Sequence, residues 1–224
     1  VVLTHGGPRA GDLCHERPVS AAAVLDPPTG RTPVALDEEG WTRVLHLFRQ
    51  EAGAAARAGA WAVGVEAARG HLWHAAISPL LCGDEALSRR GQDRLVSLVA
   101  DLARVHPRVL VSLAVEDGAP GGLYPALGVS VARRVCEAGA GLVVARTGSP
   151  YAHPRLAAAD PRSPEEEGGA LHAARWLRRA LPSTCLVAVA DGIRSLAVAQ
   201  SAVAQACCDV VVASEPLVGS GPDP

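Results

Sequence analysis

The sequence predicts an α/β fold on a parallel sheet, and two observations carry that expectation. Six short runs rich in Val and Leu, at 1–4, 61–65, 109–114, 141–145, 185–190 and 210–213, mostly lack polar alternation, as strands buried on both faces do. Amphipathic stretches with helical spacing separate most of them, and β-α alternation implies parallel neighbours joined by right-handed crossovers.

The elements follow in order. The first helix covers about 38–58, with Trp41, Val44, Leu45, Phe48, Ala52, Ala55 and Ala56 on one face and Gly59 at the C-terminal stop. The second covers about 88–105, with Ser88 as N-cap and Leu95, Leu98, Val99, Leu102 and Val105 as its stripe. The third runs over about 125–138, from Pro125 to the stop at Gly139. The fourth starts at Ser163-Pro164-Glu165-Glu166, an N-cap, a Pro at N1 and first-turn carboxylates; Glu167 extends this run onto a solvated face. The fifth follows Ser195 and carries Leu196, Ala199, Ala202 and Val203.

Composition bounds the function. The 224 residues suit one domain at about 100–200 residues each. A net charge of −2 without a basic block argues against nucleic-acid binding, and no apolar run reaches the ~20 residues of a membrane helix. There is no Lys, which excludes Schiff-base chemistry and a P-loop lysine, and no Asn, which excludes N-glycosylation. There is no Met, so Val1 is expected to be internal to a longer chain. None of the six cysteines forms a C-x-x-C pair; Cys136, Cys185 and Cys207 lie in apolar stretches and read as reduced core thiols of a cytoplasmic protein. Trp41, Trp61, Trp73 and Trp176 read as packing residues.

Six strands would suit a doubly wound sheet. However, no G-x-G-x-x-G follows the first strand, and Arg69-Gly70-His71 is not a dinucleotide loop. A (β/α)8 barrel needs eight strands. Two segments favour the barrel through a resemblance. Residues 59–80, with Gly70, Leu72 and Ser78-Pro79-Leu80 in register, resemble the fourth strand and following loop of the Old Yellow Enzyme family, the FMN-dependent NADH:flavin oxidoreductases, where the pattern is AGFDxVEIHxAHGYLxxxFLSPL. Residues 2–7, VLTHGG, are similar to the family's third-strand QLxHxGR. Weaker echoes at 187–193 and 208–217 match its seventh and eighth strands. The resemblance implies a partial (β/α)8 TIM barrel over 1–218, holding strands three to eight without the first two, and a tail at 219–224. Open strand edges would make the isolated segment poorly soluble. Within the family, the short loops and the Cys208-Asp209-Val210-Val211 strand are most similar to the barrel fused behind the flavin monooxygenase of salicylyl-CoA or anthraniloyl-CoA hydroxylases.

The resemblance also assigns roles. FMN contacts fall at Val2, His5, Ser112, Gly192, Ser214 and Glu215, and catalytic positions at Glu66, Arg69 and His71. Several of these depart from the family. Val2 replaces the Gln that touches the pyrimidine, and Ser112 replaces an Arg at the flavin N1 edge. Ser214-Glu215 replaces the Gly-Arg pair on the phosphate. A carboxylate there repels a phosphate by about 4 kcal/mol per unit-charge pair at ~4 Å and an effective dielectric of ~20. Glu66 and Arg69 replace the His/Asn pair on the substrate carbonyl, and His71 replaces the proton-donating Tyr. A carboxylate is no donor unless protonated, whereas Arg69 and His71 are.

Three readings follow. The first is a barrel domain of a larger flavin-dependent oxidoreductase or monooxygenase with its own FMN site degenerate, structural in role or holding an aromatic or acyl-CoA substrate. The second is an FMN-dependent ene-reductase with substituted contacts and NAD(P)H as reductant; there Arg69 orients an enone and His71 donates the proton. The third is a non-redox barrel that uses His5, Glu66, His71 and His74 at the mouth for acid/base or metal chemistry, although no residue is assigned as a metal ligand. A structural reading of the same residues pairs Glu66 with Arg69 and lets the histidines cap a loop.

Overall fold

The computed structural model describes residues 1–10, 17–151, 167–190 and 192–213. Its elements are β1 (Val2–Leu3), a 3-10 turn (Gly7–Arg9), β2 (Val19–Ser20), β3 (Val34–Ala35), α1 (Glu38–Arg57), β4 (Val63–Ala67), α2 (Leu72–Ile77), α3 (Pro79–Cys82), α4 (Glu85–Val105), β5 (Val109–Glu116), α5 (Pro125–Glu137), β6 (Ala140–Thr147), α6 (Leu171–Ala180), β7 (Leu186–Ala190), α7 (Leu196–Ala204) and β8 (Val210–Val212).

Six strands form one sheet in the order β1-β4-β5-β6-β7-β8, every neighbour parallel. A doubly wound sheet reverses its strand order at a switch point. This order never reverses, so successive crossovers carry the helices to one face and the sheet is an arc of a barrel. Strand alternation shows the two faces. Val63, Val65, Val109, Val111, Leu113, Val143 and Val187 are fully or almost fully buried against the helices. The other face holds Val2, Gly64, Glu66, Leu110, Ser112, Leu142, Val144, Leu186, Ala188 and Val210, matched across the strands by register. At the ends of the sheet this inner face is open: Val2, Leu186, Val210 and Val212 are all exposed.

Helix α1 buries Trp41, Val44, Phe48 and Ala52, and Asp37 caps it by accepting from Gly40 N. Trp73 lies under it, 5.5 Å from the Trp41 ring and 5.7 Å from Phe48. Two helices pack closer than a side chain would allow: a Cβ on Gly91 would lie 2.0 Å from Ala76 O, and one on Gly128 2.0 Å from Val115 O.

Several expectations are corrected. Helix α4 starts at Glu85, capped by Asp84, whose carboxylate accepts from Leu87 N. Ser88 instead donates from inside the helix to Ile77 O at 2.6 Å. The supposed loop after β4 folds into α2 and α3, with Ser78 capping α3. Residues 17–36 add a small parallel sheet, β2 with β3. Trp61 precedes its strand and is 72% exposed, with the Arg108 guanidinium over its ring. Val105, Leu196 and Val203 are exposed as well. Cys136 and Cys185 form a disulfide between the end of α5 and the start of β7, so these two are not reduced thiols; Cys82, Cys207 and Cys208 are free and buried. The helix start at Ser163-Glu166 lies outside the described residues, as do Cys14 and the 219–224 tail. Glu167 is not a bare solvated charge: its carboxylate accepts from Arg194 N and Ser195 N, just before α7. No helix among the described residues is long and apolar enough to cross a membrane.

Candidate active site at the strand C-termini

A parallel sheet brings every strand's C-terminus to the same end, and there the inner face turns polar. Glu66 and Ser112 are register partners on β4 and β5, and Arg146 lies one row further along on β6, opposite Ala114. Ser112 Oγ donates to Glu66 Oε1 at 2.9 Å and accepts from Arg146 Nε at 3.0 Å. Ser112 itself is buried. One hydroxyl thus joins a carboxylate to a guanidinium across three strands. Arg146 was not among the expected site residues. Its signal lies in the alternation of β6, where it shares parity with the inward Leu142 and Val144.

The loop after β4 brings the other expected residues to this end. Arg69 and Gly70 both take left-handed backbone, φ 61 and 75. Arg9 Nη1 donates to Arg69 O at 2.6 Å. His71 Nδ1 lies 3.0 Å from Thr4 Oγ1. Burial pushes the His71 pKa below its ordinary value; Glu66 opposes this, and Arg9 and Arg69 add to it. At neutral pH the ring is therefore mainly neutral imidazole, better suited to accept a proton or donate one N–H bond than to act as a strong acid. His5 is also pushed down by burial, and its Nδ1 accepts from Gly7 N at 3.0 Å. Gly7 seats the 3-10 turn on α2: a Cβ there would lie 2.6 Å from Leu72 N, which donates to His5 O.

The structure thus brings Glu66, Ser112, Arg69, His71 and His5 to the C-terminal end of the sheet. Val2 lies on the inner face, half exposed, one layer below Glu66. Gly192 follows β7 with φ 71 and accepts from Gly168 N. Ser214 and Glu215 lie outside the described residues. His74 is a correction. It does not face the mouth but is fully buried, with Nδ1 taken by Gly70 N and Nε2 by Asp117. With both ring nitrogens committed, His71 and His74 do not form a metal pair.

No family model matches the sequence, and no curated protein sequence matches it. Solved structures do match. Against 2-naphthoyl-CoA reductase in complex with 2-naphthoyl-CoA the TM-score is 0.80 at 18% identity, covering 95% of this chain and 35% of that one. The chain matches Old Yellow Enzyme family barrels in fold. Morphinone reductase in complex with tetrahydroNAD gives a TM-score of 0.69 at 19% identity, covering 95% of this chain and 60% of that one. Histamine dehydrogenase from Rhizobium sp. 4-9 gives 0.73 at 15%, covering 95% and 32%. The chain thus spans from about a third to three fifths of these proteins, and its sheet is a partial barrel of their type.

Proposed function

We propose that the chain is the barrel domain, residues 1–218 with a tail at 219–224, of a larger flavin-dependent oxidoreductase or monooxygenase. In this reading the barrel has given up its own FMN cradle, and its mouth holds an aromatic, enone or acyl-CoA substrate. One observation carries the proposal: the Ser112 hydroxyl, at the position where the resemblance expects a free guanidinium for the flavin edge, spends its donor on Glu66 and an acceptor on Arg146. Two other positions support it. Val2 offers no polar group, and His5 turns Nδ1 to Gly7. The described residues therefore fit FMN poorly. The Glu215 carboxylate, at the phosphate position of the resemblance, points the same way by charge.

The role left to the mouth is binding. Arg69 and the His71 ring supply donors to a carbonyl oxygen, and Glu66 supplies an acceptor.

The test is a titration of the purified chain with FMN, followed by flavin fluorescence, beside calorimetry with benzoyl-CoA as probe. Absence of saturable quenching up to about 10 µM, an affinity weaker than ~7 kcal/mol, supports the reading. A yellow protein carrying one FMN per chain overturns it. That second outcome belongs to a different reading, an FMN-dependent reductase in which Arg146 serves the flavin edge from the neighbouring strand. Its support is that Arg146 Nε already reaches Ser112 Oγ.

A further inference from the structure

A second polar cluster lies beneath the loop that carries Arg69 and His71. His74, Ser78 and Asp117 are all fully buried. Asp117 Oδ1 accepts from His74 Nε2 at 2.7 Å; its Oδ2 accepts from Ser78 Oγ at 2.5 Å and from Leu123 N at 2.8 Å. Gly122 leaves no room for a side chain beside it, since a Cβ there would lie 2.4 Å from Asp117 Oδ2. The remaining His74 nitrogen, Nδ1, accepts from Gly70 N at 2.8 Å. It therefore carries no proton, and Nε2–H is the donor to the carboxylate. Burial alone would raise the Asp117 pKa, but His74, Ser78 and Leu123 hold it below its ordinary value.

The cluster reaches the site through the Arg69–Gly70 peptide. Gly70 N and Arg69 O belong to the same peptide unit. His74 holds its N–H, and Arg9 Nη1 holds its carbonyl at 2.6 Å. The flanking residues both have positive φ, which an L side chain such as that of Arg69 disfavours. Rotating this peptide would break both bonds, and it is crowded by the Arg9 guanidinium and the Pro150 ring, 2.8 and 2.9 Å from where a Gly70 Cβ would lie.

We propose that His74 and Asp117, with Arg9 on the opposite end, are positioning residues that lock the Arg69–Gly70 peptide and so fix where the Arg69 and His71 side chains meet a ligand. Two carboxylate oxygens spread over α2, the α3 cap and the β5 loop make the lock stiff. A hydrophobic core would hold these elements together but would not orient a peptide plane. The inference rests on the reading that Arg69 and His71 act on a ligand at the mouth.

The experiment uses the full 224-residue chain. Amide hydrogen exchange is followed by NMR at Gly70 and, as a global reference, at Val65 and Val111, and the position of the His71 ring is read from its NOE to Thr4. His74→Phe keeps a ring and removes both bonds; His74→Gln keeps an acceptor and a donor. In His74→Phe, Gly70 exchange is expected to rise at least about tenfold relative to the reference amides, and the Thr4–His71 NOE to weaken. His74→Gln should recover much of both. Arg9→Met, at a partly exposed position, should give the same two changes more weakly, and it serves if His74→Phe does not fold. Exchange at Gly70 that changes only in step with Val65 and Val111, with the Thr4–His71 NOE unchanged, overturns the lock. These readouts need no ligand. Failure of benzoyl-CoA to bind the unmodified chain would therefore count against the functional reading alone.

Discussion

Replacing Ser112 with Ala removes the centre of the Glu66–Ser112–Arg146 string and leaves both charges in place. The hydroxyl makes two hydrogen bonds, each to an ionised partner. Such bonds contribute about 1.5–3 kcal/mol apiece when shielded from water. Ser112 is shielded, at 3% exposure, but Glu66 and Arg146 are only half-buried, and water recovers part of what each loses. Each bond therefore falls below that range, to about 1 kcal/mol, and the pair together contributes about 2 kcal/mol. For a domain of this size each kcal/mol moves the Tm by about 2–4 °C, so Ser112→Ala should melt about 4–8 °C lower.

The assay is thermal unfolding by circular dichroism on Ser112→Ala, Glu66→Gln and the double variant. If the hydroxyl joins the two charges, the double variant loses less than the sum of the singles, with a coupling of about 1 kcal/mol. A Ser112→Ala loss under about 0.5 kcal/mol, or additive singles, would refute the string as a connected unit. The observation behind the proposed function would then fall with it.

Three further outcomes follow from other contacts. Gly128→Ala would put a methyl group 2.0 Å from Val115 O and push α5 off β5, at a cost of about 1–3 kcal/mol or more, read as a lower urea midpoint. The His172 pKa is raised, first by its hydrogen bond to Glu116 and against the opposing effect of burial. The protonated ring favours the folded state, so this contribution is complete below the unfolded His pKa of about 6.5 and is lost as pH rises through the folded value. Glu116→Gln should flatten that part of the urea-midpoint profile. The Cys136–Cys185 disulfide closes a loop over a sequence separation of 49, which on chain entropy contributes about 4 kcal/mol. Reduction should lower the Tm, and Cys136→Ser should melt like the reduced protein whether or not reductant is present.

What the sequence reveals here is what depends on local spacing. The stripe Trp41-Val44-Phe48-Ala52 has helical period, and α1 buries these residues. The β6 and β7 runs are apolar because helices cover one face and small inward residues pack the other. Helices α2 and α3, of six and four residues, are too short to set up a period, so Leu72–Ile77 reads as loop. Ser88 fits an N-cap by type, but Gly83, in left-handed conformation, ends α3 and hands the capping role to Asp84. The contacts that build the site join residues far apart in the chain: Ser112 to Arg146 over 34 positions, His74 to Asp117 over 43. No local pattern records such a pairing. Only the parity of Arg146 within its strand shows which way it points.

The inner face explains why the chemistry collects where it does. Register sorts it into layers, as in closed barrels. The lowest layer, Val2-Gly64-Leu110-Leu142-Leu186, is apolar, and Leu110 fills the space that a side chain on Gly64 would need. The next, Glu66-Ser112-Val144-Ala188-Val210, is polar on the β4 and β5 side and small or apolar on the other. Arg146 stands one row above it. A carboxylate and a guanidinium set within the leucine layer would each carry a desolvation cost that a single partner does not return. Placed above that layer and joined through a shared hydroxyl, both stay only half-buried at the end of the sheet. Among the described residues, the inner face of β7 and β8 is small or apolar, with Val210 and Val212 exposed. The proposed binding role uses that division, with donors at Arg69 and His71 on one side and small or apolar residues along β7 and β8 on the other.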